Sequence, residues 1–353
     1  MRRALVVALV FATGCDGCGS KQSASSSDAG APSRFGAVHD PDVEIVHDEG
    51  ADGAAPGQDS DASNLALSDT EIYWIDRERR RVVARAKTGG DPRVVVEGEK
   101  GALFPIHAIA SSPSGVFVAE HAGTNRVRVL HVTAGGRVEL ATTSTSDFSM
   151  AGATGADHVF VREEAGISIL RRGEPPQRVA TPDTASMLTA CPFGAAWLTT
   201  TLPRGDGGRM EGLLDALSTP ASSIVAWRRG AATALTSGMT WDKIGDLACD
   251  AENVFWSDAA GVHRVLVSGG GESMLLAKPR ETLKMAVVGD GLYWTAANRI
   301  ERILLLARSD DDAGDPLSPR AFTKDDAHPF SRPIADGTHV YWLTNRGVRR
   351  KRR

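Results

Sequence analysis

Four carboxylates recur at one position of a short repeated pattern in this chain. Each acid lies two residues after an apolar or aromatic key residue; they are Asp76, Glu120, Glu163 and Asp258. Carboxylate oxygens that meet in a ring could bind a divalent cation such as Ca²⁺, or a basic partner. The alternative is structural: each acid bonds turn amides or an arginine and supports its own hairpin. The arginines considered for that role are Arg85, Arg128 and Arg264.

The pattern that carries these acids occurs seven times. Its key residues are Trp74, Val118, Val161, Trp197, Trp256, Trp294 and Trp342, a mean spacing of about 45 residues. Each unit has a short strand with a small residue, a turn, the aromatic strand, a third strand that is often basic, and a β-branched fourth strand. A period of this size in a strand-rich chain predicts an all-β fold, a seven-bladed β-propeller of four-stranded antiparallel blades. Six or eight blades are the alternative counts.

The last unit has only three strands, and a spare strand precedes the first unit. Residues 43–46 are β-branched or apolar at alternate positions. We expect them to form the outer strand of the last blade, beside residues 348–350, so that one sheet contains both ends of the domain. The propeller domain is therefore predicted to cover residues 41–353.

Four of the repeated motifs resemble those of the YWTD-repeat propellers. They are Tyr73-Trp74-Ile75-Asp76, Phe255-Trp256-Ser257-Asp258, Tyr293-Trp294-Thr295-Ala296 and Tyr341-Trp342-Leu343-Thr344. The resemblance covers about residues 64–353, and units two, three and four keep little of the motif. It implies a propeller that binds proteins, with a mainly structural role for the Asp of the motif. That family typically has six blades, so seven units depart from it.

The N-terminus has the features of an export signal. Arg2 and Arg3 precede a short apolar run, residues 4–12, which suits a signal peptide and is too short to span a bilayer. Ala12-Thr13-Gly14-Cys15 resembles a bacterial lipobox, with Ala at the position where Leu is usual. The resemblance implies removal of residues 1–14 and acylation of Cys15; an ordinary cleaved signal or an incidental one is the alternative. Two or more acyl chains would give stable membrane anchoring.

Residues 15–40 follow this signal and are rich in Ser, Gly, Ala and Asp. They have too little apolar surface to fold, so we expect a flexible tether between the membrane and the propeller. The sequence thus predicts an exported, membrane-anchored lipoprotein that faces the periplasm or the cell surface. The formal net charge of −4 gives no electrostatic footprint for a nucleic-acid partner.

The fourth unit contains an insertion over residues 200–222. Within it the apolar residues recur at helical spacing; they are Met210, Leu213, Leu214 and Leu217. This spacing predicts a short amphipathic helix at the end of the second strand. Its apolar side either packs on the propeller or contacts a partner.

Two cysteines follow the small residue of the first strand in units four and five. An exported protein can form a disulfide between Cys191 and Cys249. If both cysteines have the same register, their side chains point the same way around the ring. That symmetry favours two buried thiols instead.

No catalytic motif is present in the sequence, and no Cys or His spacing indicates a metal site. We expect no cofactor, with Ca²⁺ as the alternative. The predicted function is a binding or scaffold module for a protein or an envelope polymer. The alternative is a hydrolase or lyase with a divalent cation near the central channel.

Overall fold

β-branched and aromatic residues at alternate positions make each repeat a small antiparallel sheet. A computed structural model describes residues 40–48 and 64–353, except for gaps at 77–79, 99–104, 145–147, 153–154, 164–165, 180–183, 202–220, 238, 241–243, 270–271, 280–283, 297–298, 306–317, 324–328, 330 and 345–346. All regular elements in the described part are strands, and none of its segments is a helix long and apolar enough to cross a membrane.

Each blade has its strands in radial order, from the channel to the rim. The innermost strands are β2 (Leu65–Leu67), β6 (Ile106–Ser112), β10 (Ser149–Gly152), β14 (Thr184–Cys191), β19 (Asp246–Cys249), β23 (Met285–Val288) and β27 (Ile334–Ala335). The second strands are β3 (Glu71–Asp76), β7 (Gly115–His121), β11 (His158–Glu163), β15 (Gly194–Thr201), β20 (Asn253–Ser257), β24 (Gly291–Ala296) and β28 (His339–Thr344).

The third strands are β4 (Arg81–Ala86), β8 (Arg126–Thr133), β12 (Gly166–Arg171), β16 (Ala221–Arg228), β21 (Val262–Leu266), β25 (Arg299–Leu304) and β29 (Gly347–Arg352). The outer strands are β5 (Arg93–Glu97), β9 (Gly136–Ser144), β13 (Gln177–Val179), β17 (Ala231–Ala234), β22 (Met274–Ala277), β26 (Arg320–Ala321) and β1 (Val43–Asp48). The short β18 (Met239–Thr240) also pairs with β16.

The blades close into a ring of seven, as the sequence predicts. Each innermost strand contacts that of the next blade, and β27 of blade 7 contacts β2 of blade 1. The second-strand aromatics fill the spaces between blades, and Trp74, Trp294 and Trp342 are at most 1% exposed. The core of the molecule is therefore a circle of apolar layers between neighbouring sheets.

The N-terminal strand completes blade 7. β1 pairs with β29 and places Val43 opposite Lys351 and Ile45 opposite Arg349. Val46 packs between blades 7 and 1 in a cluster with Trp74 and others. The predicted closing strand is thus confirmed, and it extends to Asp48.

Cys191 and Cys249 form a disulfide, with their Cα atoms 5.6 Å apart. The expectation of two thiols rested on an equivalent register, which is wrong. Cys249 pairs with Val254, two residues before Trp256, whereas Cys191 pairs with Gly194, three residues before Trp197. A shift of one residue turns a side chain to the other face of its sheet, so the two cysteines face each other.

The ring has two faces of different construction. The connection face carries the hairpins from second to third strands and the segments that lead from one blade to the next. The turn face carries the turns from first to second and from third to fourth strands. The end of β15 at Thr201 and the start of β16 at Ala221 lie on the connection face, and the insertion between them, residues 202–220, lies outside the described residues.

Candidate functional site

Two of the repeated acids pair with an arginine across their own hairpin on the connection face. Asp76 Oδ2 accepts a hydrogen bond from Arg81 Nε at 2.9 Å, at the end of the β3–β4 pair. Glu120 Oε1 accepts from Arg128 Nε at 3.0 Å, between β7 and β8. Both acids support the turn that carries them.

The other two repeated acids also have partners in the propeller. Glu163 accepts hydrogen bonds from the hydroxyls of Thr143, at 2.5 Å, and Ser168, at 2.7 Å. Asp258 Oδ1 accepts from the amide of Ala260, at 2.7 Å, and lies 2.9 Å from His263 Nε2. Glu163 thus links blades 2 and 3, while Asp258 fixes a turn within blade 5.

The structure therefore leaves the four acids on four separate blades. In the described part of the chain, no three His, Cys, Asp or Glu side chains form a group that could hold a metal ion. Arg128 has the predicted pairing role; Asp76 and Asp258 use Arg81 and His263 rather than Arg85 and Arg264. Several of the residues predicted from sequence lie outside the described residues: Cys15, Met210, Leu213, Leu214 and Leu217.

A different group of polar residues meets in the channel, and its central member is Arg332. This arginine precedes Pro333, which biases its backbone to an extended conformation. Ser331, on its other side, accepts a hydrogen bond from the amide of Leu343 at 2.8 Å and is buried. The backbone of Arg332 is therefore anchored on both sides, at the point where the chain enters blade 7 on the connection face.

The side chain of Arg332 reaches across the channel to blades 4 and 5. Its Nη1 donates to Thr189 Oγ1 at 3.1 Å, on the innermost strand β14. Its Nη2 pairs with Asp246 Oδ1 at 2.5 Å, at the start of β19. A segment of blade 7 is thereby bonded to blades 4 and 5, neither of which is adjacent to blade 7 in the ring.

Asp246 is the buried anchor of this group. Its side chain is 4% exposed, and its second oxygen accepts a hydrogen bond from the amide of Met285, at 2.7 Å, in blade 6. A buried carboxylate is tolerated only when it is paired and hydrogen-bonded, and Asp246 has both partners. Together Thr189, Asp246, Met285 and Arg332 join four blades at one site, which we call the channel-mouth site.

The strand that carries Thr189 is distorted at this site. The β14–β15 register shifts between Ser186 and Thr189, and Met187 within the shift has a positive φ of 49°. That conformation is unusual for a residue with a side chain and stores strain. The disulfide lies two residues beyond Thr189 and three beyond Asp246, so it ties together the two strands that hold Arg332.

Sequence reasoning missed the channel-mouth site because its two charged residues, Asp246 and Arg332, do not belong to the repeated motif. A signal was present: Asp246 is a charged residue immediately before the buried Leu247-Ala248 of an innermost strand. A carboxylate at the start of a buried innermost strand needs a cationic partner. The sequence does not indicate which segment between blades supplies that cation.

A second polar cluster lies on the turn face between blades 2 and 3. Ser112 and Ser114 both donate to Asp157 Oδ1, at 2.9 and 3.0 Å, and His131 Nε2 lies 3.1 Å from Ser112 Oγ. Burial lowers the pKa of His131, and its Nδ1 is buried without a partner. Because the serine protons point to the aspartate and not to the imidazole, this arrangement is not a nucleophile–base pair.

Comparison with known proteins identifies the fold and no family. No protein-family model and no curated protein matches the chain. Virginiamycin B lyase from Staphylococcus aureus superimposes with a TM-score of 0.55 at 13% identity, over 84% of this chain and 95% of that one. A chain of the mitotic checkpoint complex gives 0.55 at 10% identity, over 96% and 99%. YCF48 bound to D1 peptide gives 0.53 at 10%, over 90% and 98%.

Proposed function

We propose that this chain is an exported, lipid-anchored β-propeller that binds a protein or an envelope polymer through its connection face. The observation that carries the proposal is the channel-mouth site. Polar groups from four blades meet there, and Arg332 keeps 29% of its side chain exposed. Such a rigid and partly open set of donors suits recognition.

The two faces differ in a way that supports this choice. On the turn face, short turns join β6 to β7, β8 to β9 and β16 to β17. On the connection face, β15 ends at Thr201 and β16 begins at Ala221, so the chain between them is 19 residues long in sequence; those residues, 202–220, lie outside the described part. Long connections on a rigid scaffold are where binding residues are concentrated in folded domains.

A crosslinking experiment tests which face binds. A photoreactive amino acid replaces Ala259, in a hairpin of the connection face, or Ala134, in a turn of the opposite face; both are exposed. In intact cells, we expect Ala259 to give a discrete crosslinked product and Ala134 to give none. Equal products from both positions, or a product from Ala134 alone, would contradict the proposed surface.

Lipid anchoring has its own test. The full chain and its Cys15→Ala variant are expressed with an alkyne analogue of palmitate. We expect the label and membrane fractionation for the wild type only. A labelled Cys15→Ala variant, or an unlabelled wild type, would remove the anchor from the proposal.

A further inference from the structure

The channel-mouth site has unused hydrogen-bond donors. A guanidinium has five N–H groups, and Arg332 uses two of them, for Thr189 and Asp246. Its Nε–H has no acceptor in the described part of the chain. Both bonded partners are themselves buried and hold the guanidinium in place, while part of the Arg332 side chain remains exposed.

A second cationic residue, Lys284, is next in sequence to a residue of the channel-mouth site. Lys284 directly precedes Met285, whose amide shares the carboxylate of Asp246 with Arg332. Met285 packs toward blade 5 and Ala286 toward blade 7. Lys284 continues the pairing of β23 with β24, because its amide donates to Thr295 Oγ1 and its carbonyl oxygen accepts from the Thr295 amide. Since side chains alternate along paired strands, we expect the Lys284 side chain to be directed to the blade 7 side, where Arg332 lies.

The charges at this site do not balance. Arg332 and Lys284 supply two positive charges, and Asp246 supplies one negative charge. Both oxygens of Asp246 are already bonded, one to Arg332 and one to the amide of Met285. Among the described residues no carboxylate lies within ion-pair distance of Lys284, which is half-buried. Counted over the described residues alone, the site therefore has one more positive charge than negative charges, together with N–H groups of Arg332 that no described acceptor uses.

We propose that the channel-mouth site binds a carboxylate of a peptide ligand, with Arg332 as the hydrogen-bond donor and Lys284 as the second cation. A planar guanidinium matches the geometry of a carboxylate, and a nearby ammonium adds a point charge. The carboxylate comes from an acidic side chain or a chain terminus. This inference rests on the proposed connection-face binding and adds the chemistry of the ligand.

The test measures the affinity of the full chain for three fluorescent peptides by anisotropy. The probes are amidated hexaglutamate, amidated hexaglutamine, and a glutamine peptide with a free C-terminal carboxylate. We expect hexaglutamate to bind at least 10-fold more tightly than amidated hexaglutamine. Tighter binding of the free C-terminal peptide than of its amidated form identifies the terminus as the source; no such gain identifies side chains.

Variants locate the binding. Lys284→Gln is expected to weaken hexaglutamate binding about fivefold, because it removes a partly exposed charge and no bonded partner. The matched control is Lys278→Gln, an exposed lysine that directly follows β22, the outer strand of blade 5, with no change expected. The double variant Arg332→Gln/Asp246→Asn removes the buried charge pair together and is expected to weaken binding more than 10-fold.

Two results would overturn the inference: no preference for hexaglutamate over hexaglutamine, or the same affinity in Lys284→Gln as in Lys278→Gln. Either result leaves the crosslinking test of the connection face intact, since that test does not depend on ligand charge. Conversely, crosslinking confined to the turn face would contradict the proposed function even if hexaglutamate bound. The two proposals therefore fail separately.

Discussion

The repeated acids and Asp246 are carboxylates of the same ring in opposite situations. Asp76 is bonded to an arginine five residues away, within one hairpin. Asp246 is bonded to an arginine 86 residues away, across the channel. Asp76, Glu120 and Asp258 are thus bonded within their own blades, and Glu163 also bonds Thr143 of the adjacent blade, whereas Asp246 is bonded to blades 6 and 7.

The difference teaches where function is expected in a repeat fold. A residue type that recurs at one register has a structural role that every blade needs, such as stabilising a hairpin. Asp246 and Arg332 occur once, and their bonds constrain the channel rather than a blade. Loss of a repeated acid should therefore have small effects, and changes at the channel mouth should have large ones.

The largest expected effect comes from the disulfide that ties β14 to β19. Its loop spans 58 residues, and the chain-entropy relation gives about 4 kcal/mol for closing it. The variant Cys191→Ser/Cys249→Ser should lose about that much free energy of unfolding in urea titrations. Wild-type protein treated with dithiothreitol is the control and should match the variant. An unchanged midpoint in both would show that the link adds nothing to stability.

The second-largest loss of stability is expected when the guanidinium of Arg332 is removed from the channel-mouth site. Arg332→Met leaves the buried carboxylate of Asp246 without its charge partner, and we expect a loss of about 3 kcal/mol. Arg81→Met breaks the pair with Asp76, whose side chain is 13% exposed against 4% for Asp246, and should cost less, about 1 kcal/mol. Adding Asp246→Asn to Arg332→Met should restore part of the loss. Equal urea midpoints for Arg332→Met and Arg81→Met would contradict the contrast.

The turn face offers an effect of intermediate size that depends on pH. Burial acts to raise the pKa of Asp336, but hydrogen bonds from the amides of Thr338 and His339, and from Lys87, outweigh it and hold that pKa well below its usual range. The lowered pKa adds stability above the unfolded value of about 4, and this stability is lost as pH falls below it.

Urea unfolding at pH values from 7 to 2 tests this dependence. Wild type should lose more stability on acidification than Asp336→Asn, because the variant has no carboxylate to protonate there. Asp91→Asn, an exposed acid on the same face, is the matched control and should follow wild type. Parallel curves for wild type and Asp336→Asn would rule out the linkage.

The smallest effects are expected at the repeated acids themselves. Asp258 accepts bonds from the amides of Ala260 and Gly261, and the oxygen of an asparagine can accept the same bonds. Asp258→Asn should therefore change the free energy of unfolding by less than about 1 kcal/mol. Thermal melts with and without Ca²⁺ provide the second check. A stabilisation by Ca²⁺ that Asp258→Asn abolishes would reinstate the cation interpretation of these acids.

The architecture could be predicted from the sequence because every blade has the same local pattern of strands and turns. Alternating aromatics, turn residues and a spare strand at residues 43–46 together predict seven closed blades, and β1 beside β29 confirms that closure. The disulfide could not be predicted, because it requires Cys191 and Cys249 to differ in register by one residue and the spacing of the motifs does not show that difference. The pairing of Asp246 with Arg332 depends on the three-dimensional path of the chain across the channel, and no local pattern encodes that distance.

One comparison tests the central claim that the channel mouth binds and the repeated acids support the fold. The yield of the product crosslinked through Ala259 is measured in cells for wild type, Lys284→Gln and Asp76→Asn. We predict a severalfold lower yield for Lys284→Gln, at unchanged protein level, and the wild-type yield for Asp76→Asn. A full yield with Lys284→Gln, or an equal loss with both variants, would contradict the account.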